Sequence, residues 1–264
     1  MLQSDTFSLI GGRKVEVHRG GQGPLLVWLH GPHGVRKHDP VLAELVKRYT
    51  VIAPVAPGFN DAAELDEIRD VHDLALHYDD VFEALGLDRV FLVGHSFGAM
   101  IAAEVAAHVP KRVERLVLIS PFGLWRDDHP VVDLFARPYA AIDRILWKTG
   151  EASAAMTDPE NFSNDPVEKA VALAQAMTAV AKFIWPIPDK GLRRRLPRVT
   201  AKTLVVFGAD DAFVPPIYAD EFATAIRGAH RAVIADAAHM VPYEKTAEVM
   251  RLIEQQSGEK IRAA

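Results

Sequence analysis

Two hydrophobic patterns alternate along the chain. One is a short, nearly unbroken apolar run, the mark of a buried strand. The other repeats apolar residues every three or four positions, the mark of an amphipathic helix. "TFSLI" and "KVEVH" flank the turn signal Gly11-Gly12 and predict a β-hairpin. "PLLVWLH" (24–30) predicts a strand. "PVLAELVKRY" (40–49) predicts a helix, capped by Asp39 with Pro40 in its first turn. "TVIAP" predicts a strand closed by Pro54, and "VHDLALHYDDVFEALG" (71–86) a helix stopped at Gly86. "RVFLVGH", "GAMIAAEVAAHV" and "VERLVLIS" then read as strand, helix and strand.

From Pro121 to about Pro197 the rhythm breaks. No strong strand appears, and "DLFARPYAAIDRILWKTG" and the segment from Pro166 to Leu196 are helix-like but cut by prolines. Strand and helix then alternate again: "TLVVFGA", "YADEFATAIRG", "RAVIA" and "YEKTAEVMRLIEQQ". Alternation of this kind predicts a mostly parallel sheet with helices on both faces. The predicted organisation is a core of residues 1–120 and 198–264, interrupted by a helical cap over 121–197. Sheets of this type bind ligands beyond the carboxyl ends of their strands.

Composition narrows the function. The net charge of −5, with no block of like charge, gives no basic face for nucleic acid. The chain has no cysteine, which excludes disulfides, thiolate metal sites and a cysteine nucleophile. Its first twenty residues lack the basic start and apolar run of a secretory signal, and no apolar stretch is long enough to span a membrane. The expectation is a cytoplasmic protein, monomer or homodimer, whose partner is a small molecule. His30, His33 and His38 match no strong metal-ligand spacing.

The chemistry concentrates at Gly94-His95-Ser96-Phe97-Gly98, between a strand and a helix. A serine on such a turn is pushed out of the sheet, and glycines two residues to either side let strand and helix approach closely. The helix start supplies N–H groups for a developing oxyanion. A serine hydroxyl needs a base, and the base an orienting acid. Asp210 and Asp211 follow one later strand, and His239 follows the last. Either aspartate could be the acid on this reading.

With these motifs in place the sequence resembles the α/β-hydrolase family. "WLHGPHG", "PVAPGF", "VGHSFGAM", "LVLISP", "VVFGADDAFVP" and "AAHMVPYE" fall in that family's order over nearly the whole chain. The resemblance implies a mostly parallel eight-stranded sheet, with Ser96 as nucleophile, Asp211 as acid, His239 as base and no cofactor. Asp211 is preferred because the family's acid usually stands three residues after the strand-ending glycine, here Gly208. The implied activity is ester hydrolysis through an acyl-enzyme. Hydrolysis of a carbon–carbon bond in ring-cleavage products is the nearest alternative. His95 and Met240 depart from that group, where asparagine and tryptophan are common.

One departure touches the oxyanion loop. After His30-Gly31 the family's second N–H donor falls on Pro32, which has none. Phe97 remains one donor, and His33 or Gly34 becomes the candidate for the other. Pro32 also leaves room for a slow-turnover receptor on the same fold. Within the cap, Trp125, Tyr139, Trp147 and Trp185, with Met240 beyond it, are candidates to line an apolar substrate pocket, as are Phe122, Phe135, Phe162 and Phe183. For any one of the aromatics, packing of the cap onto the body is the reading that composition favours. Arg193, Arg194 and Arg195 read as a solvated face, with a substrate carboxylate as the alternative.

Overall fold

The computed structural model describes residues 2–36, 38–150 and 165–258. Its eight strands are β1 (Gln3–Ser8), β2 (Lys14–Gly20), β3 (Leu25–Leu29), β4 (Thr50–Pro54), β5 (Val90–His95), β6 (Val113–Ile119), β7 (Lys202–Gly208) and β8 (His230–Ile234). They form one sheet in the order β1-β2-β4-β3-β5-β6-β7-β8. The β1–β2 and β2–β4 pairings are antiparallel, and every pairing from β4 to β8 is parallel. β5 lies near the middle, and all six of its residues are buried.

Helices α1 (Pro40–Leu45), α2 (Val71–Ala84) and α3 (Phe97–His108) follow β3, β4 and β5. The β6–β7 connection carries α4 (Tyr139–Leu146), α5 (Pro166–Ile184) and α6 (Leu192–Arg195), with no strand among its described residues. α7 (Tyr218–Ala225), α8 (Val241–Glu244) and α9 (Thr246–Ser257) complete the chain. One apolar cluster packs α2, α3 and α7 on one face of the sheet. A second packs α1 and α9 on the other.

Local chemistry explains most boundaries. The Asp39 carboxylate accepts from the N–H groups of Val41 and Leu42 at 2.8 and 3.0 Å, and Pro40 opens the helix without an N–H to strand. α1 stops at Leu45, short of the ten residues expected. The chain goes on in tighter turns, with the Lys47 and Arg48 N–H groups on the Glu44 and Leu45 carbonyl oxygens at 3.2 and 3.1 Å, and Tyr49 comes to lie against Gly21. A Cβ at Gly21 would stand 2.1 Å from the Tyr49 carbonyl oxygen. The last helical segment divides at Lys245, whose φ of −130° and ψ of 49° are not helical.

Tertiary pairing overrides the solvated reading of the arginine run at two positions. Arg195 grips the buried Glu104 of α3 through two bonds of 2.7 and 2.6 Å. Arg193 reaches Glu221 at 2.6 Å, and Arg126 reaches the same carboxylate at 2.8 Å. Both ends of the β6–β7 connection are therefore tied to the body. α5 rests on the loop after β4, where Gln175 and Lys182 donate to the carbonyl oxygens of Gly58 and Leu65.

Candidate active site

The turn between β5 and α3 is set by two glycines. A Cβ at Gly94 would stand 2.4 Å from the Gly98 carbonyl oxygen, and one at Gly98 would stand 2.1 Å from that of Leu29. Both obstacles are backbone and cannot move aside. Between them Ser96 adopts φ 56°, ψ −117°, a conformation rare for a residue with a side chain. The Phe97 N–H occupies the first helical position, where no helical carbonyl can reach it.

Three side chains from distant parts of the sequence meet at this turn. Ser96 Oγ lies 2.8 Å from His239 Nε2, and His239 Nδ1 lies 2.8 Å from Asp211 Oδ2. Asp211 Oδ1 accepts from the N–H groups of Phe213 and Val214 at 3.0 and 2.8 Å. All three residues are buried. Asp211 accepts only, so Nδ1 carries the imidazole proton and Nε2 is free to accept from the serine hydroxyl. Asp210 points elsewhere: its carboxylate pairs with Lys148 at 2.8 Å, half exposed. Gly208 makes the convergence possible, because a Cβ there would press to 2.4 Å on the Ala237 carbonyl oxygen, in the loop that carries His239.

A second histidine braces that loop, and sequence reasoning gave it no role. His95 Nε2 lies 3.1 Å from the His239 carbonyl oxygen. A carbonyl only accepts, so His95 carries its proton on Nε2. Burial, reinforced by the charge of a protonated His239, lowers the His95 pKa to about 3 and keeps it neutral. His30 is also held neutral, near 4, chiefly by burial. It donates from Nδ1 to the Gly31 carbonyl and accepts at Nε2 from the Ala56 N–H.

The oxyanion candidates separate. The Gly34 N–H already donates to the Gly31 carbonyl oxygen at 3.1 Å, closing a turn rather than facing Ser96. His33 is drawn down to about 4 by burial, then by Arg36 and His239, so its ring is neutral. Its Nε2 is buried with no hydrogen-bond partner. Pro32 borders the same cavity as Ser96.

That cavity encloses ≈ 600 Å³ of space between atoms, its open mouth included. Trp125 and Trp185 line it, with Phe122 and Phe135. Trp147 and Met240 do not. Trp147 packs its ring 6.2 Å from Tyr243, and Met240 is fully buried in the core. Phe183 stacks beneath on Phe97, with ring centres 6.0 Å apart. The side chain of Tyr139 and the whole of Phe162 lie outside the described residues. Sequence reasoning missed Met177, Val180 and Ile184, which line the cavity from one face of α5. Their spacing of three and four was the available signal. It also missed Phe213, which lines the cavity and sets its edge on the His239 ring at 4.7 Å between centres. Among the described residues no cluster of three or more potential metal ligands occurs, and no helix is long and apolar enough to cross a membrane.

Such a site belongs to a class of hydrolytic folds, and the comparisons agree. The model of the Alpha/beta hydrolase family matches residues 26–252, and the chain belongs to that family. The 2-hydroxy-6-oxo-6-phenylhexa-2,4-dienoate hydrolase of Comamonas testosteroni is 26% identical over 268 residues, covering 90% of this chain and 89% of that protein. Two solved structures share the fold. A serine hydrolase involved in carbazole degradation superposes with a TM-score of 0.75 at 23% identity, over 97% of this chain and 99% of the other. A carboxylesterase from Bacillus subtilis gives 0.70 at 20%, over 99% and 93%.

Proposed function

We propose that this hydrolase is a cofactor-free serine esterase cleaving carboxylic esters of small, largely apolar substrates. The observation that carries the reading is the unbroken hydrogen-bonded line from Ser96 Oγ through His239 to Asp211, opening on an apolar cavity. His239 takes the Ser96 proton as Oγ attacks the ester carbonyl. Asp211 steadies the resulting imidazolium, which then protonates the leaving alcohol. In the second step His239 draws a proton from water as the water oxygen attacks the acyl carbon, then returns it to Ser96 Oγ as the bond to the enzyme breaks and the acid leaves. Phe97 N–H is one donor to the oxyanion. His33 is the second in this reading, supported by its neutral ring and unpartnered Nε2 beside an N–H-less Pro32. Residues 121–197 act as a cap whose anchored ends fix the cavity wall, and the protein works as a cytoplasmic monomer or homodimer.

Carbon–carbon hydrolysis is the second reading, favoured by the activity that the Comamonas relative's name carries. A dienoate is an anion, however, and no cation is among the described residues that line this cavity. A slow-turnover receptor would use the same pocket. Hydrolysis of p-nitrophenyl butyrate separates these readings. The esterase reading expects steady multiple turnover that falls at least a thousandfold in Ser96→Ala, about the order seen when a triad member is removed. Binding without turnover, or turnover that survives Ser96→Ala, overturns it.

A further inference from the structure

The cavity is one-sided in charge. Among the described residues lining it, Asp133 is the single titratable one, and the rest, Ser96 apart, are apolar or aromatic. Asp133 Oδ1 is committed to its own loop, accepting from the N–H groups of Phe135 and Ala136 at 2.9 and 3.3 Å. Oδ2 has no protein partner among the described residues. Arg126 is paired with Asp128 and Glu221, while the Lys190 ammonium donates to the neutral Trp185 carbonyl oxygen at 3.0 Å. Trp125 and Phe135 line the same cavity partly buried, and Trp185 lines it with 56% of its surface exposed. Asp133 is itself exposed, and an exposed carboxylate beside aromatic side chains is an environment for an ammonium group. The carboxylate attracts it at range, and the ring faces attract it at contact.

We propose that Asp133 makes the cavity selective for substrate charge, favouring esters that carry an ammonium group away from the scissile bond and rejecting those that carry a carboxylate. This rests on the esterase reading for its chemistry but not for its binding. A unit charge about 8 Å from a carboxylate changes affinity about twofold in a water-like medium and about thirtyfold in a partly shielded one. An apolar funnel lies between these limits, so the expected bias is about fivefold or more at low salt.

Three butyrate esters of matched shape test it, their alcohols ending in trimethylammonium, tert-butyl or carboxylate. Turnover is measured on the wild-type enzyme. Affinity is measured on Ser96→Ala by tryptophan fluorescence, so charge selectivity is read even where no ester is cleaved. The expected order in both is ammonium, neutral, carboxylate, with steps of about fivefold that shrink as salt is raised. Asp133→Asn, which keeps an oxygen for the loop N–H groups, brings all three within about twofold. Equal affinities in wild type, or a bias unchanged in Asp133→Asn, overturn the proposal. Charge-selective binding without turnover supports it while defeating the esterase reading.

Discussion

Acid should unfold this protein through histidines that the fold keeps neutral. His30, His77 and His95 are each less than 5% exposed. Burial is the main cause that lowers their pKa values to about 4, 3 and 3. Two of them use a ring nitrogen as an acceptor, His30 from the Ala56 N–H and His77 from Arg13, and a proton there would break the bond. In the unfolded chain the same groups titrate near 6.5. Below that value the unfolded state binds more protons, so stability rises with pH in this window. It is complete above about pH 6.5 and is lost as pH falls toward the folded values. At pH 5.5 each histidine costs about 1.4 kcal/mol, and three together about 4 kcal/mol. That is a large share of the ~5–15 kcal/mol that holds a domain together. Asp39 works in the opposite direction, because burial raises its carboxyl and acid favours its folded form. Urea titrations at pH 7.5 and 5.5, followed by tryptophan fluorescence, should differ by several kcal/mol, and His77→Gln should flatten the slope by about one proton. Equal stability at the two pH values, or greater stability at 5.5, would refute the reasoning.

Four further outcomes are expected. Gly98→Ala drives a methyl into the Leu29 carbonyl and should lower stability by more than about 4 kcal/mol, seen as a fall in Tm or loss of soluble protein. Arg195→Met leaves Glu104 charged and buried, costing about 3–5 kcal/mol in urea unfolding, and adding Glu104→Leu should recover much of it. Asp211→Asn should reduce kcat on p-nitrophenyl butyrate about 10⁴-fold by leaving His239 in the wrong tautomer, with KM little changed. His33→Ala should lower kcat about 10²–10³-fold if its ring serves the oxyanion, and unchanged kcat would assign that place to another donor.

The sequence carried the elements whose cause is local. Asp39-Pro40 announces a helix start by itself, and Gly-x-Ser-x-Gly between strand and helix patterns locates a turn that the backbone contacts at Gly94 and Gly98 then enforce. The residues alone left Asp210 and Asp211 open, the family resemblance favoured Asp211, and the structure sends Asp211 to His239 and Asp210 to Lys148. What stayed hidden depends on partners remote in sequence. Trp125 and Trp147 look equivalent in the chain, yet one faces the cavity and the other packs on Tyr243. Nothing near Arg195 announces Glu104, ninety-one residues earlier. The brace from His95 to the His239 carbonyl spans 144 positions, with no local signal at either end.

The central claim is that His239 and Asp211 turn Ser96 into a nucleophile, and covalent labelling tests it without knowledge of the substrate. A fluorophosphonate should modify one residue per chain, and peptide mass spectrometry should place the adduct on Ser96. Labelling should vanish in Ser96→Ala and slow by orders of magnitude in His239→Ala. An unlabelled wild-type protein, or an adduct on any other residue, would contradict the account.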